Sequence, residues 1–201
     1  MKMFYKVLKI ILLPVIKLLW LGKVTGKENI PQEGPFIVVS NHKSYLDFFL
    51  LPIIIPRRIH FLAAEVFFEK KLWIPLVRLT GQIKVDRKAK DKSEVYKEVE
   101  QLFARGGILG AFPEGTRSRD GKLHKGYNGV VKFAYKYKVP ILPVGIINTF
   151  KALPPHKKFP KFIKCHVNIG QTIIVDSDDY DRETDGLMVV ISKLGREEYY
   201  K

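Results

Sequence analysis

Cysteine is all but missing from this chain: Cys165 stands alone among 201 residues. A single thiol excludes an intrachain disulfide and fits a reducing compartment. It lies in Phe162-Ile163-Lys164-Cys165-His166-Val167-Asn168-Ile169, which alternates like a strand, so it reads as a strand residue rather than a nucleophile. Metal-ligand spacing is missing too, because His60, His124, His156 and His166 are scattered, and no metal is expected. Zinc-finger spacing and an RNA-recognition aromatic signature are both absent. There is no internal repeat and no low-complexity linker.

Acidic residues are scarce. Asp and Glu total 20 against 35 Lys and Arg, a formal charge of +15. Residues 1–27 carry Lys2, Lys6, Lys9, Lys17, Lys23 and Lys27 without one acid, whereas Asp176 to Asp185 is an acidic patch. So positive a balance predicts an anionic partner, either nucleic acid or an acidic lipid surface. Charge alone does not choose between them.

Long hydrophobic runs are lacking as well. A spanning helix needs about 20 mainly apolar residues. In residues 1–22 the longest stretch without a charge runs from Ile10 to Ile16, and Pro14 interrupts it. Each Lys near a helix centre costs roughly 2.5–3.5 kcal/mol on insertion scales, which argues against a span. On a helical projection Lys2, Lys6, Lys9 and Lys17 fall within about 80° of one another. The remaining circumference is Leu, Ile, Val, Phe and Trp20. That predicts an amphipathic segment lying in the headgroup region, split by Pro14 into two short helices. A helix packed on the domain's own core is the plain alternative, and different turns can share both roles. A signal peptide fits poorly, since no small-residue cleavage site precedes Lys23.

What remains is 46% apolar overall and long enough for one well-buried domain, so 1–22 is expected as a membrane-interface segment and 23–201 as one domain. Strand-like runs occur at Phe36–Ser40, Arg58–Ala63, Gln82–Val85, Ile108–Phe112, Ile141–Ile147 and Ile163–Ile169. Helical patterns fall at Ser44–Leu51, Leu72–Leu79 with Pro75 inside, Lys92–Ala104, Tyr127–Tyr137 and Thr184–Tyr199. The clearest is Lys92–Ala104, where Val95, Val99, Leu102 and Phe103 recur at intervals of three and four before Gly106-Gly107. Alternation of this kind predicts an α/β fold with a largely parallel or mixed central sheet flanked by helices.

Reactive groups of α/β sheets gather where strands end. Directly after the run 36–40 comes Ser40-Asn41-His42-Lys43-Ser44-Tyr45-Leu46-Asp47. On a continuous helix His42 and Asp47 diverge by about 140°, so a direct pair needs a turn between them. Ser44-x-x-Asp47 supplies one, with capping-box spacing that leaves His42 in the incoming loop. In one reading Asp47 fixes the imidazole tautomer and His42 is a general base. In the other Asp47 only starts a helix. The residues alone leave both open.

The second junction is Phe112-Pro113-Glu114-Gly115-Thr116-Arg117-Ser118, after the run 108–112. Gly115 allows close backbone approach, and Arg117 offers a planar fork suited to phosphate. Arg87 follows the extended stretch of Gly81-Gln82-Ile83-Lys84-Val85-Asp86-Arg87 in the same way. Singly, each arginine also reads as a surface ion pair and Gly115 as a turn residue.

These blocks resemble, in order, those of the 1-acyl-glycerol-3-phosphate acyltransferases and the wider glycerolipid acyltransferase family. Asn41 to Asp47 is similar to the family's H-x4-D motif, Gly81 to Arg87 to its second block, Phe112 to Ser118 to its third, and Val139-Pro140-Ile141-Leu142-Pro143-Val144 to its fourth. Gly26-Lys27-Glu28-Asn29-Ile30-Pro31 also looks typical, and most of residues 24–147 is covered. Lys43 stands at a variable site often taken by a neutral residue. The resemblance implies catalysis by His42 and Asp47. It implies an acceptor-phosphate site from Arg87, Glu114, Gly115 and Arg117, with Glu114 organising the arginines. It further implies acyl transfer from acyl-CoA or acyl-acyl-carrier protein to a lysophospholipid hydroxyl in phospholipid biosynthesis, without a cofactor or a covalent acyl-enzyme. The setting would be the cytoplasmic face of the cell membrane, against anionic lipids. Another lysophospholipid or an aminolipid is the alternative acceptor.

Two further expectations come from the residues. An acyl tunnel lined from Phe61 to Leu79 would set chain length. The basic stretch from Phe150-Lys151 to Lys164, interleaved with Phe159 and Phe162, is either a loop that dips into headgroups or a plain solvated one. A nucleic-acid-binding protein remains the rival from another class, on charge and aromatic content alone.

Overall fold

In the computed structural model, residues 13–69, 74, 77, 80–86, 89 and 91–201 are described. Helix α1 (Leu13–Trp20) runs straight into strand β1 (Leu21–Thr25). There follow β2 (Phe36–Ser40), α2 (Tyr45–Ile54), β3 (Ile59–Ala64), α3 (Val66–Glu69), β4 (Ile83–Val85), α4 (Ser93–Ala104) and β5 (Ile108–Ala111). The chain continues through β6 (Leu123–His124), α5 (Gly129–Tyr137), β7 (Ile141–Ile147), α6 (Thr149–Ala152), β8 (Cys165–Ile169), α7 (Tyr180–Gly195) and β9 (Tyr199–Tyr200).

Seven strands form one sheet in the order β1-β8-β7-β2-β5-β3-β4, and β6 pairs with β9 separately. Every neighbouring pair in the large sheet is parallel except β7 and β8. The sheet is therefore mixed, within the expected α/β class. Strand β2 lies at its centre with all five residues buried. Its period of two sends Phe36 and Val38 into one core with Leu46, Leu50 and Leu51 of α2, and Ile37 and Val39 into another with Val99, Leu102, Val131 and Met188. Helices thus cover both faces, as a continuous apolar strand requires.

Helix α1 divides its surface. Leu13, Ile16 and Trp20 are buried against the domain, while Val15, Lys17 and Leu18 face outward. The remainder of the expected amphipathic segment, residues 1–12, lies outside the described residues, as does most of Leu72–Leu79.

Among the elements that differ from the sequence pattern are β1 and the closing helix. Leu21–Thr25 is a strand, made by parallel pairing with β8 (Leu21 with Cys165, Thr25 with Asn168) rather than by its own weak alternation. The closing helix begins at Tyr180, where Asp179 accepts the Arg182 N–H at 3.2 Å, and ends at Gly195 rather than Tyr199. Arg196 takes a left-handed conformation (φ 52°) and breaks it, and Tyr199–Tyr200 turns into β9.

Candidate active site

The parallel strands β5 and β2 end together, while β7 beside β2 runs on from Val144 to Ile147. Val39 is paired with Ala111, and Ser40 with Val144, so the loops after β2 and β5 leave side by side. Asn41 fixes the first of them. Its side-chain carbonyl accepts the Ile146 N–H at 2.8 Å and its amide donates to the Ile146 carbonyl at 2.9 Å, extending the sheet's pairing through a side chain.

Ser44 then caps α2. Its hydroxyl accepts the Leu46 N–H at 3.1 Å, and the Ser44 N–H donates to Asp47 Oδ2 at 2.7 Å. That same oxygen accepts the Lys43 N–H at 2.7 Å and lies 3.1 Å from His42 Nδ1. The capping box and the His–Asp pair are one structure, so neither sequence reading excludes the other. Asp47 is wholly buried, whereas His42 keeps about a sixth of its side chain exposed (17%). Because Asp47 Oδ2 already accepts two backbone N–H groups, it acts as acceptor toward the ring as well. Nδ1 therefore carries the proton, and Nε2 is left as a base.

The loop after β5 fastens His42 from the other side. Its N–H donates to Glu114 Oε2 at 2.8 Å, and its carbonyl accepts the Ser118 N–H at 2.8 Å. Between these points Gly115 adopts φ 70°, which closes the turn from Phe112. The His42 ring stacks on Phe112 (centroids 3.9 Å, 13° between planes), and Phe112 stacks on Phe61 (5.6 Å, 9°). Gly110 makes room for that column: a Cβ there would meet the Phe61 ring at 2.5 Å.

Glu114 is buried, and burial pushes its carboxyl up to about 7 against the pull of the His42 and His124 N–H groups. Among the described residues its two oxygens are occupied by those backbone donors, at 2.8 and 3.2 Å, rather than by an arginine. Glu114 therefore shapes the loop that holds His42. Arg117 packs its guanidinium over the Tyr45 ring at 3.7 Å, and its buried Nη1 has no acceptor among the described residues. Arg87 lies outside the described residues.

His42, Gly115 and Arg117 open onto a cavity of about 520 Å³. Its walls are largely apolar, with Phe48, Phe49, Phe61, Ala63, Val77 and Phe133 among them. The stretch expected to line an acyl tunnel supplies Phe61 to Ala64 and Val77, and α2, α4 and α5 supply the opposite walls. Leu79 is not among the described residues.

Two contributions had no signal in the sequence. Lys43 forms a close ion pair with Glu197, beyond the end of α7, and both side chains are about nine-tenths buried. Glu197 Oε1 also accepts the Asn41 amide at 2.6 Å, and burial raises its carboxyl despite the lysine. The partners are 154 residues apart, so no local spacing foretells them. Phe112, the ring beneath His42, reads in the sequence as a strand end and the start of the third block, with nothing to show that it stacks on the imidazole.

The other histidines sit elsewhere. His124 pairs with Asp120 (2.9 Å), His166 accepts the Lys23 N–H (2.9 Å), His60 meets the Gly81 carbonyl (2.6 Å), and His156 is exposed. Cys165 is buried in β8, where burial pushes its thiol up to about 12. Among the described residues no group of three or more His, Cys, Asp or Glu is arranged to hold a metal.

Comparison with known proteins bears on this geometry. The acyltransferase family model matches residues 22–147, which contain both junctions. The chain is 33% identical over 124 residues to the 1-acyl-sn-glycerol-3-phosphate acyltransferase of Bacillus subtilis, covering 60% of each protein. It is 30% identical over 178 residues to that of Borreliella burgdorferi, covering 82% of this chain and 68% of the relative. The chain spans between 37% and 60% of the length of three relatives, from Brassica napus, Bacillus subtilis and Arabidopsis thaliana. The crystal structure of the 1-acyl-sn-glycerophosphate (LPA) acyltransferase from Thermotoga maritima has the same fold. It aligns with a TM-score of 0.73 at 24% identity, over 98% of this chain and 85% of that one. With the matched segment enclosing the His42–Asp47 pair and the loop that fastens it, this chain belongs to the acyltransferase family.

Proposed function

We propose that this protein transfers a fatty acyl group from an acyl thioester to the free hydroxyl of 1-acyl-glycerol-3-phosphate, giving phosphatidic acid for phospholipid synthesis. One observation carries the proposal: the His42 ring, held by Asp47, lines an apolar cavity beside a guanidinium whose Nη1 has no acceptor among the described residues. His42 Nε2 takes the hydroxyl proton as the acceptor oxygen attacks the thioester carbonyl. The tetrahedral intermediate then collapses, the carbon–sulfur bond breaks, and the imidazolium returns its proton to the departing thiolate. Asp47 stabilises the imidazolium between these steps and does not itself change protonation. No covalent acyl-enzyme is needed, which suits a buried thiol held protonated.

Arg117 binds the acceptor's phosphate in this scheme, since a guanidinium stays charged and its donors match phosphate oxygens. Arg87 shares that role, Gly115 lets the backbone approach the anion, and Glu114 braces the turn that presents them. The apolar walls receive acyl chain. Acyl-CoA and acyl-acyl-carrier protein both meet the requirement for a thioester donor. No described helix is long and apolar enough to cross a membrane. The N-terminal segment anchors the enzyme in the interface, on the cytoplasmic face of the cell membrane, where a reduced thiol is at home.

The test is an acylation assay on purified protein with lysophosphatidate, other lysophospholipids and an aminolipid, each with both donor types. Phosphatidic acid formation from lysophosphatidate is expected to be fastest. A faster reaction with an acceptor lacking a terminal phosphomonoester would overturn the acceptor assignment, and no ester formation with any pair would overturn the activity.

A further inference from the structure

The loop from α6 to β8 exposes two aromatic rings to an unusual degree: Phe159 is 84% and Phe162 77% exposed. Lys151, Lys157, Lys158, Lys161 and Lys164 around them are exposed too. Beside this loop, α1 turns outward Leu18 (75% exposed), Val15 and Lys17. No acid occurs from Thr149 to Val175 or before Glu28.

The two segments are joined. Trp20 Nε1 donates to the Lys161 carbonyl at 2.8 Å, Lys164 Nζ donates to the Leu18 carbonyl at 2.6 Å, and the rings of Trp20 and Phe162 stack at 5.7 Å. Strand polarity sets where this surface lies. β7 ends at the edge of the sheet that carries His42, and β8 starts there because it runs antiparallel to β7. β1 is parallel to β8, so α1, which feeds it, meets the same edge.

We propose that the outer face of α1 and the loop between α6 and β8 form one docking surface for an anionic lipid bilayer, at the end of the sheet where His42 waits. Rings this exposed are unfavourable in water and favourable among acyl chains, and an acid-free rim of lysines is complementary to anionic headgroups. A folded protein partner would fit less well, because the apolar contacts are separate protrusions rather than a groove. The surface extends the anchoring assigned to the N-terminal segment to a second part of the chain, and rests on the acyl-transfer proposal only for its purpose.

The test uses the whole chain and cosedimentation with vesicles of phosphatidylcholine, alone or mixed with phosphatidylglycerol. Phe159 has no ring partner among the described residues, so Phe159→Ser leaves their packing intact; it should reduce binding to both vesicle types. Lys157→Glu with Lys158→Glu should lower binding to the anionic vesicles about tenfold or more, with the remainder weakening as salt rises. Both variants should keep wild-type turnover of a short-chain lysophosphatidate dispersed as monomers, yet lose turnover of acceptor held in vesicles. Unchanged vesicle binding in both variants would overturn the proposal. So would unchanged vesicle binding with lost affinity for an acidic acyl carrier protein, or an equal loss on dispersed acceptor. If the vesicle effects appear but no acceptor is ever acylated, the surface stands and the acyl-transfer proposal fails.

Discussion

His42 and Lys43 follow one another in the chain, and each faces a buried carboxylate of different origin. Asp47 comes from the next helical turn and concentrates three donors on one oxygen: the His42 ring and two backbone N–H groups. Glu197 comes from beyond α7 and divides its oxygens between the Lys43 ammonium and the Asn41 amide. The ring lines the cavity, whereas the ammonium is taken up by its partner beneath it. The contrast separates two jobs that a basic side chain can have. One pair leaves a nitrogen available for chemistry, and the other uses its charge to tie a loop to the C-terminal turn.

The largest effect should come from breaking the first pair. His42→Ala is expected to lower kcat by at least ~10²–10⁴-fold, the range typical of general base catalysis, with unfolding free energy little changed. Near-normal turnover would remove the distinction between the pairs. Next comes the second pair. Glu197→Ala strands a buried ammonium, which costs about 3–5 kcal/mol in urea unfolding. Adding Lys43→Met should recover most of that loss, with kcat of the folded protein within about tenfold of wild type. If Glu197→Ala instead stopped turnover at unchanged stability, Lys43 would belong with the chemistry.

Glu114, which braces the same loop, is sharpened by pH. Burial raises its carboxyl to about 7, so the folded state holds that proton more tightly than the unfolded chain does. Its contribution to stability is full below the ordinary glutamate range and is lost as pH rises through about 7. Relative to Glu114→Gln, the wild type should therefore lose stability between pH 4.5 and 7, on the order of 3 kcal/mol. Parallel curves for the two proteins would show that Glu114 ionises without penalty. The smallest effect falls outside both pairs: Arg117→Ala should raise KM for the phosphate-bearing acceptor about 10–100-fold, the loss of one charge-assisted contact, and leave the donor's KM alone. A change confined to the donor would reassign Arg117.

These differences also explain what the sequence made legible. Phe36–Ser40 and Ser93–Ala104 declare themselves because one face, or every face, of each must be apolar to be buried. The Ser44–Asp47 cap is visible because both of its ends lie within one helical turn. β1 was hidden, since Leu21–Thr25 becomes a strand only when β8 arrives to pair with it. The helix end at Gly195 was hidden for a similar reason. Nothing in the pattern forces Arg196 into a left-handed turn except the burial of Glu197 against Lys43 and Asn41. Contacts within a turn leave a periodic trace, and contacts across the whole chain do not.

The ring column of Phe61, Phe112 and His42 has a consequence for how the barrier is built. An imidazole with free rotation about two bonds would lose that freedom anew in each catalytic cycle. Here one flat face is pressed on Phe112 and one edge is held by Asp47, so the ordering is completed when the protein folds. The activation entropy of the chemical step then contains little from the base. Replacing Phe112 with a smaller aliphatic residue would return that entropy to the reaction, lowering turnover by a similar factor at every temperature while every polar group of the site stayed in place.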